Sequence, residues 1–332
     1  MSRQIIKILL LLCLIPLWGC SAGIPVEDTY LIMKGPLART DRFEPSGLAF
    51  QGEGLFVFND KNDEPPVYLY QLEDSLSLIE KIPLLAADGF VVEARKFEDA
   101  SASRNGSHDL YAVTSCDRPD PAYNRLVKMS LRSGGGWSFD NLPGFESKVA
   151  KLRERLDTPY LKIEAFALSR DDMHAYVGIR EIGPSYKEPA FVVMIWRFPI
   201  AEGGEPLEKI LEIDTLKRFG RAEGISALEY DGFRKRYLML TSYEGKEGRI
   251  DDVGGHLWAI SEELLEGGKE DGDIEVIRSF IHKPEGVAVA KDGRIIVVFD
   301  DDASRKEADP ERAIREGKFN VEQNEAFYSV FE

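Results

Sequence analysis

Short apolar runs rich in β-branched and aromatic residues and bounded by Gly, Pro or Asp recur along most of the chain, the pattern of buried strands. The runs come in pairs, and the pairs repeat. Each pair opens on an acid, continues as a small-and-apolar strand, and after a gap gives an apolar strand with a polar end. The five instances are EPSGLAF with GLFVFND from Glu44, EDASAS with DLYAVTSCD from Glu98, EAFALS with HAYVGIRE from Glu164, EGISALEY with RYLMLTSYEG from Glu223, and EGVAVA with RIIVVFDDD from Glu285. Successive glutamates lie 54 to 66 residues apart, which suits four strands with generous loops.

Two more strands follow the first pair in most units: 66–73 and 76–85 in the first, RLVKMSLR and GWSFDNL in the second, 190–198 and 207–213 in the third, GHLWAIS and DIEVIRSFI in the fourth. The fifth unit has only AFYSVFE before the chain stops, and the stretch 28–37 has no unit of its own. Pairing these two closes a ring. The prediction is an all-β chain forming a single β-propeller of five four-stranded blades, shut by its N- and C-terminal strands; a six-bladed ring with one degenerate blade is the alternative. Phe145, Val149, Leu152 and Leu156 fall at helical spacing, so one helix is expected over the junction of blades two and three.

The first nineteen residues break the pattern. Arg3 and Lys7 precede an apolar run ending at Leu17, too short to span a bilayer as a helix, and this reads as a secretory signal. Leu17-Trp18-Gly19-Cys20 resembles the bacterial lipobox, in which cleavage precedes a cysteine that is then lipidated. The expected organisation is a signal peptide over 1–19, lipidated Cys20 and a tether over 20–28, and the propeller over 29–332. Ser21 after the cysteine resembles the outer-membrane sorting pattern, placing the domain in the bacterial cell envelope, on the outer membrane facing the periplasm where the host has one. Loss of Cys13 with the signal and lipidation of Cys20 leave Cys116 with no partner, so no intrachain disulfide is expected and Cys116 reads as an incidental thiol.

Composition narrows the function. The 332 residues include 42 Lys plus Arg against 58 Asp plus Glu, a formal net charge of −16, with 43% hydrophobic residues. That is too apolar for intrinsic disorder, and the charge surplus disfavours nucleic acid and anionic lipid headgroups. Cations or basic surfaces are the better partners, and a monomer is expected.

In a propeller the innermost strands line a central tunnel, so Glu44, Glu98, Glu164, Glu223 and Glu285 are expected to ring one mouth. The polar ends of the second strands, Asn59-Asp60, Ser115, Arg180-Glu181, Ser242 and Asp300-Asp301-Asp302, form a second ring. Crowded carboxylates raise one another's pKa unless a cation joins them, and oxygen donors without His or Cys point to Ca²⁺, with the five glutamates as its ligands. Lys and Arg are expected to be scarce there; Arg180, alone at its place in the repeat, would pair with the ring or grip an anionic group, with Asp60 and Asp300 beside it. The competing structural reading has each repeated acid accept hydrogen bonds from the next blade's backbone. No metalloprotease, nucleophile-elbow, phosphate-loop or paired-cysteine motif is present. His108, His174, His256 and His282 read as surface or strand-end residues.

The heads EPSGLAF, EGISAL and EGVAVA with the partners VFND, YVGIRE and VFDDD, and the stretch from Tyr176 to Arg197, resemble a bacterial lipoprotein β-propeller family related to the phytase-like and SdiA-regulated propellers. The resemblance implies a calcium-binding propeller, sometimes with phosphoesterase or esterase-like activity. Three functions follow as expectations. The first is a lipid-anchored module that binds Ca²⁺ and a small anionic or sugar-like ligand. The second is a calcium-dependent hydrolase in which Glu164 or Glu223 activates water, and the third a protein-interaction scaffold.

Overall fold

A computed structural model describes residues 30–35, 43–60, 66–201, 207–244, 253–267, 273–300 and 324–332. The first strand is β1 (Leu31–Lys34). Blade one follows as β2 (Pro45–Gln51), β3 (Gly54–Asn59), β4 (Val67–Leu72) and β5 (Leu76–Ile82). Blade two is β6 (Phe97–Ala102), β7 (Leu110–Thr114), β8 (Leu126–Leu131) and β9 (Trp137–Asn141), after which α1 (Phe145–Arg155) leads into blade three. Blade three is β10 (Tyr160–Leu168), β11 (His174–Gly183), β12 (Ala190–Pro199) and β13 (Glu208–Ile213), and α2 (Thr215–Phe219) connects it onward. Blade four is β14 (Gly224–Asp231), β15 (Arg236–Glu244), β16 (Val253–Ser261) and β17 (Ile274–Phe280), with α3 (Glu262–Gly267) between its last two strands. Blade five is β18 (Pro284–Val289), β19 (Ile295–Phe299) and β20 (Glu325–Phe331), completed by β1 in the order β1-β20-β19-β18. The molecule is a five-bladed β-propeller; the six-bladed alternative is not realised.

The strands read as nearly continuous apolar runs because both faces of each blade are buried against neighbours. Alternate residues of β3 serve two cores: Phe56 and Phe58 pack towards blade two with Phe97 and Ala112, while Leu55 and Val57 pack towards blade five with Ala288 and Val298. Each of the five apolar clusters fills one gap between adjacent blades. Phe145, Val149 and Leu152 of α1 join the cluster between blades two and three, where the helix was expected. Its start is set by Gly144 in the left-handed region at φ 79°. The two shorter helices carry little periodicity; α2 is fixed locally by Asp214, whose side chain accepts from the N–H of Lys217 at 2.9 Å, and by Gly220 at φ 75°.

Closure matches the pairing expected from the sequence. Leu31 pairs with Tyr328 and Lys34 with Glu325, antiparallel. Two tyrosines tie this composite blade to blade one: Tyr328 accepts the N–H of Leu76 at 3.1 Å, and Tyr70 donates to the carbonyl of Lys34 at 2.9 Å.

A β-bulge interrupts the innermost strand of every blade at one equivalent place, leaving Ser46, Glu98, Glu164, Ser226 and Glu285 outside the ladder. The residues just past the bulges are Gly47, Asp99, Ala165, Ala227 and Gly286. Four are small because strands from different blades meet closely here: a Cβ on Gly286 would lie 2.1 Å from the backbone oxygen of Ser46, and one on Gly47 would lie 2.9 Å from the backbone of Asp99. The fifth is an aspartate with no exposure. Its carboxylate accepts the N–H groups of Phe166 at 2.7 Å and Leu228 at 2.9 Å, joining blades two, three and four at the centre of the ring.

Candidate functional site

The bulge register revises the expected ring of glutamates. Glu98, Glu164 and Glu285 share the bulge position, but in blades one and four that position belongs to Ser46 and Ser226. Glu44 lies two residues ahead of its bulge; its N–H donates to Asn59 Oδ1 at 2.9 Å and its carbonyl accepts the N–H of Asp60 at 3.0 Å. Glu223 lies three residues ahead, fully buried inside blade four. Its carboxylate accepts from the hydroxyl of Thr241 at 2.7 Å and from Arg221 at 3.2 Å and contacts His256 Nδ1 at 2.9 Å. Burial opposes its charge, but these partners outweigh it and hold its pKa below the usual carboxylate value.

Contrary to the expected scarcity of Lys and Arg, cations interleave with the remaining glutamates. Lys96 lies 3.2 Å from both Glu98 and Asp117. Lys162 pairs with Glu164 and stands 3.7 Å from Glu98. Arg180, 2% exposed, reaches Glu164 at 2.9 Å and donates to Ser242 Oγ at 2.7 Å, a link from blade three to blade four. Lys283 lies 2.6 Å from Glu285 and 3.5 Å from Glu244. The result is an arc of alternating charge across blades two, three and five. Gly224 makes room for it, since a Cβ there would lie 2.5 Å from Arg180 Cγ. Asp60 joins at one end, acting on Lys96, Glu98 and Lys162, and Asp300 at the other, acting on Lys283 and Glu285.

The sequence carried the missed signal. Every repeat head has a basic residue two places before its glutamate: Arg42, Lys96, Lys162, Arg221 and Lys283. Four of these bases pair with the glutamate two places on: Lys96 with Glu98, Lys162 with Glu164, Arg221 with Glu223 and Lys283 with Glu285. Arg42, Cys20, Asp301 and Asp302 lie outside the described residues.

Electrostatics separates the arc's carboxylates. Burial works against the charge of Glu164, yet Arg180, Lys162 and Lys283 hold its pKa at about 2. Burial dominates at Glu285, pushed up to about 7 despite Lys283, and at Glu98, raised well above the usual value despite Lys162 and Lys96. Glu98 Oε1 and Asp60 Oδ1 are buried and receive no hydrogen bond. Among the described residues no three His, Cys, Asp or Glu side chains are grouped to hold a metal ion, and ammonium groups stand between the closest carboxylates.

Of the histidines expected at the surface or at strand ends, His256 instead lies inside β16, while His282 sits at a strand end between β17 and β18. His256 is buried and stacks on Phe219 at 4.1 Å; His282 is buried between Tyr30 and Phe327. Cys116 is fully buried and its thiol pKa is raised by that burial, in keeping with an inert residue.

No family model and no curated protein matches the chain. Among solved structures it is similar to the extracellular domain of a putative hybrid two-component system from B. thetaiotaomicron, with 12% identity and a TM-score of 0.36 over 78% of this chain but 26% of that one. A gluconolactonase from Xanthomonas campestris gives 8% identity and a TM-score of 0.42 over 90% and 88% of the two chains. An exo-β-1,3-galactanase from Phanerochaete chrysosporium gives 8% and 0.49 over 91% and 64%. With TM-scores below 0.5, none of these likenesses assigns a site or an activity.

Proposed function

We propose that the protein is a binding module, held at a bilayer through lipidated Cys20, whose charged arc takes a small sugar-like ligand. The observation that carries this reading is Asp60 Oδ1, a buried acceptor with no hydrogen bond, next to Glu98 Oε1, which is held only by ion pairs to Lys96 at 3.2 Å and Lys162 at 3.7 Å. A ligand hydroxyl both donates and accepts, so it satisfies a carboxylate and an ammonium at once. A buried acceptor left without a donor costs about 1–3 kcal/mol, which a bound hydroxyl returns.

Hydrolysis is less well supported. Glu164 at about 2 is a poor general base near neutral pH, and Glu223 is committed to Thr241, Arg221 and His256. Calcium remains a second reading for one reason: eight carboxylates (Asp60, Glu98, Asp117, Glu164, Glu181, Glu244, Glu285, Asp300) face five cations (Lys96, Arg118, Lys162, Arg180, Lys283) along the arc, so the site is still acidic.

Calorimetric titration of the purified protein with a panel of monosaccharides and polyols, and separately with Ca²⁺, distinguishes these readings. Saturable heat with a sugar, lost in Glu98→Gln, supports the proposal. Binding of Ca²⁺ alone supports the second reading, and no heat with any titrant overturns both. Mass spectrometry of the membrane fraction for a diacylated Cys20 tests the anchor.

A further inference from the structure

On the face opposite the arc, where the innermost strands of blades one, two, four and five end, lies an open pocket of about 380 Å³. Its volume is that of a small-molecule site. Phe50, Tyr230 and Phe233 supply apolar walls, and Phe233 is 60% exposed at the rim. Arg104 and Glu229 supply the charge.

Arg104 is held in place and incompletely used. Its backbone N–H donates to Asp172 Oδ2 at 2.8 Å, its side chain donates to the carbonyl of Leu168 at 3.3 Å, and the guanidinium lies over the Tyr230 ring at 4.7 Å. Glu229 stands 3.6 Å away, beyond hydrogen-bonding distance. The planar fork therefore keeps donors open to the pocket. Glu229 has a side chain 91% buried, and its Oε2 receives no hydrogen bond. The Tyr230 N–H and Ser101 hydrogen-bond the Glu229 carboxylate, which leaves Oε2 as the one atom of the group without a partner.

We propose that this pocket binds a small organic carboxylate with an apolar or aromatic body, its carboxylate on the Arg104 fork and its body against Phe50, Tyr230 and Phe233. Arg recognises carboxylates through paired, charge-assisted hydrogen bonds, and aromatic walls beside a fixed guanidinium favour a flat apolar body over a bare ion. Glu229 is the gatekeeper of charge: as a neutral acid it donates to the bound carboxylate through Oε2, and as a carboxylate it repels it. The site is independent of the arc, and its test does not depend on the sugar reading.

The test is titration of the purified protein with benzoate and 3-phenylpropionate against their neutral amides, benzamide and 3-phenylpropanamide. Saturable binding of an acid at least roughly tenfold tighter than its amide is expected, since a charge-assisted hydrogen bond carries more than a neutral one. Arg104→Met should abolish it, Phe233→Ala should weaken it several-fold, and Glu229→Gln, which keeps a donor and removes the negative charge, should preserve or tighten it. Absence of saturable carboxylate binding by the unmodified protein overturns the proposal. So does equal affinity for acid and amide, or unchanged binding in a folded Arg104→Met variant. Where Arg104→Met fails to fold, the acid–amide comparison and Phe233→Ala, at an exposed position, decide.

Discussion

Asp99 Oδ2 accepts the backbone N–H of Leu228 at 2.9 Å across 129 residues of sequence, so one side chain of blade two satisfies a donor in blade four. The same oxygen takes the N–H of Phe166, and Oδ1 takes that of Ala100. Burial raises the pKa of Asp99 well above the usual value, and the three N–H groups work in the other direction. A polar latch of this kind was one of the readings available for the repeated glutamates. It is found instead at the one aspartate among the small residues past the bulges.

Replacing Asp99 by Ala should take this acceptor from three buried N–H groups, those of Ala100, Phe166 and Leu228. At about 1–3 kcal/mol each, a loss of about 3–9 kcal/mol is expected in urea unfolding. Asp99→Asn keeps one acceptor and should lose less.

Arg180 and Glu164 should behave as a buried pair. Arg180→Met strands Glu164 with only Lys162 and Lys283 and should cost about 3–5 kcal/mol. The double variant Arg180→Met with Glu164→Met should recover much of that loss, giving a favourable coupling in a double-mutant cycle.

Close approach of blades five and one makes Gly286 intolerant. Gly286→Ala puts a Cβ 2.1 Å from the Ser46 oxygen and should cost about 1–3 kcal/mol of overpacking strain or more. Gly134→Ala, with open space around the added methyl, should be within about 0.5 kcal/mol of the parent in the same assay.

Stability should peak in mildly acidic solution. Glu229 and Glu285, raised to about 7 chiefly by burial, bind more protons folded than unfolded, so their contribution is present below 4.5 and is lost as pH rises through 7. Glu164, lowered to about 2, contributes above 4.5 and loses that contribution as pH falls. Thermal midpoints across this range should be highest near about pH 5, and Glu229→Gln should flatten the decline towards neutral pH.

The blade count, the strand pairs, the closure and the α1 helix were all legible, because each rests on apolar periodicity and on the arithmetic of one missing strand. The register of the bulges was not. EPSG and EGIS look equivalent to EDAS and EAFA in sequence, yet Glu44 and Glu223 precede their bulges by two and three residues while Glu98 and Glu164 occupy them. A bulge is decided by how the second strand pairs, which a head motif does not encode. The basic residue two places before each glutamate was readable and overlooked. Asp99 stood in plain view as an acid inside an apolar strand, but its partners Phe166 and Leu228 lie in other repeats. The pocket around Arg104 is likewise assembled from four blades, so no contiguous motif announces it.

The composite fifth blade imposes an order of events on synthesis. Leu31 precedes Tyr328 by 297 residues, so their ladder pairing waits until the whole stretch between them has left the ribosome. Until then β1 is an unsatisfied edge, able to template pairing with another chain. Such late, long-range pairing makes completion slow relative to folding of the individual hairpins.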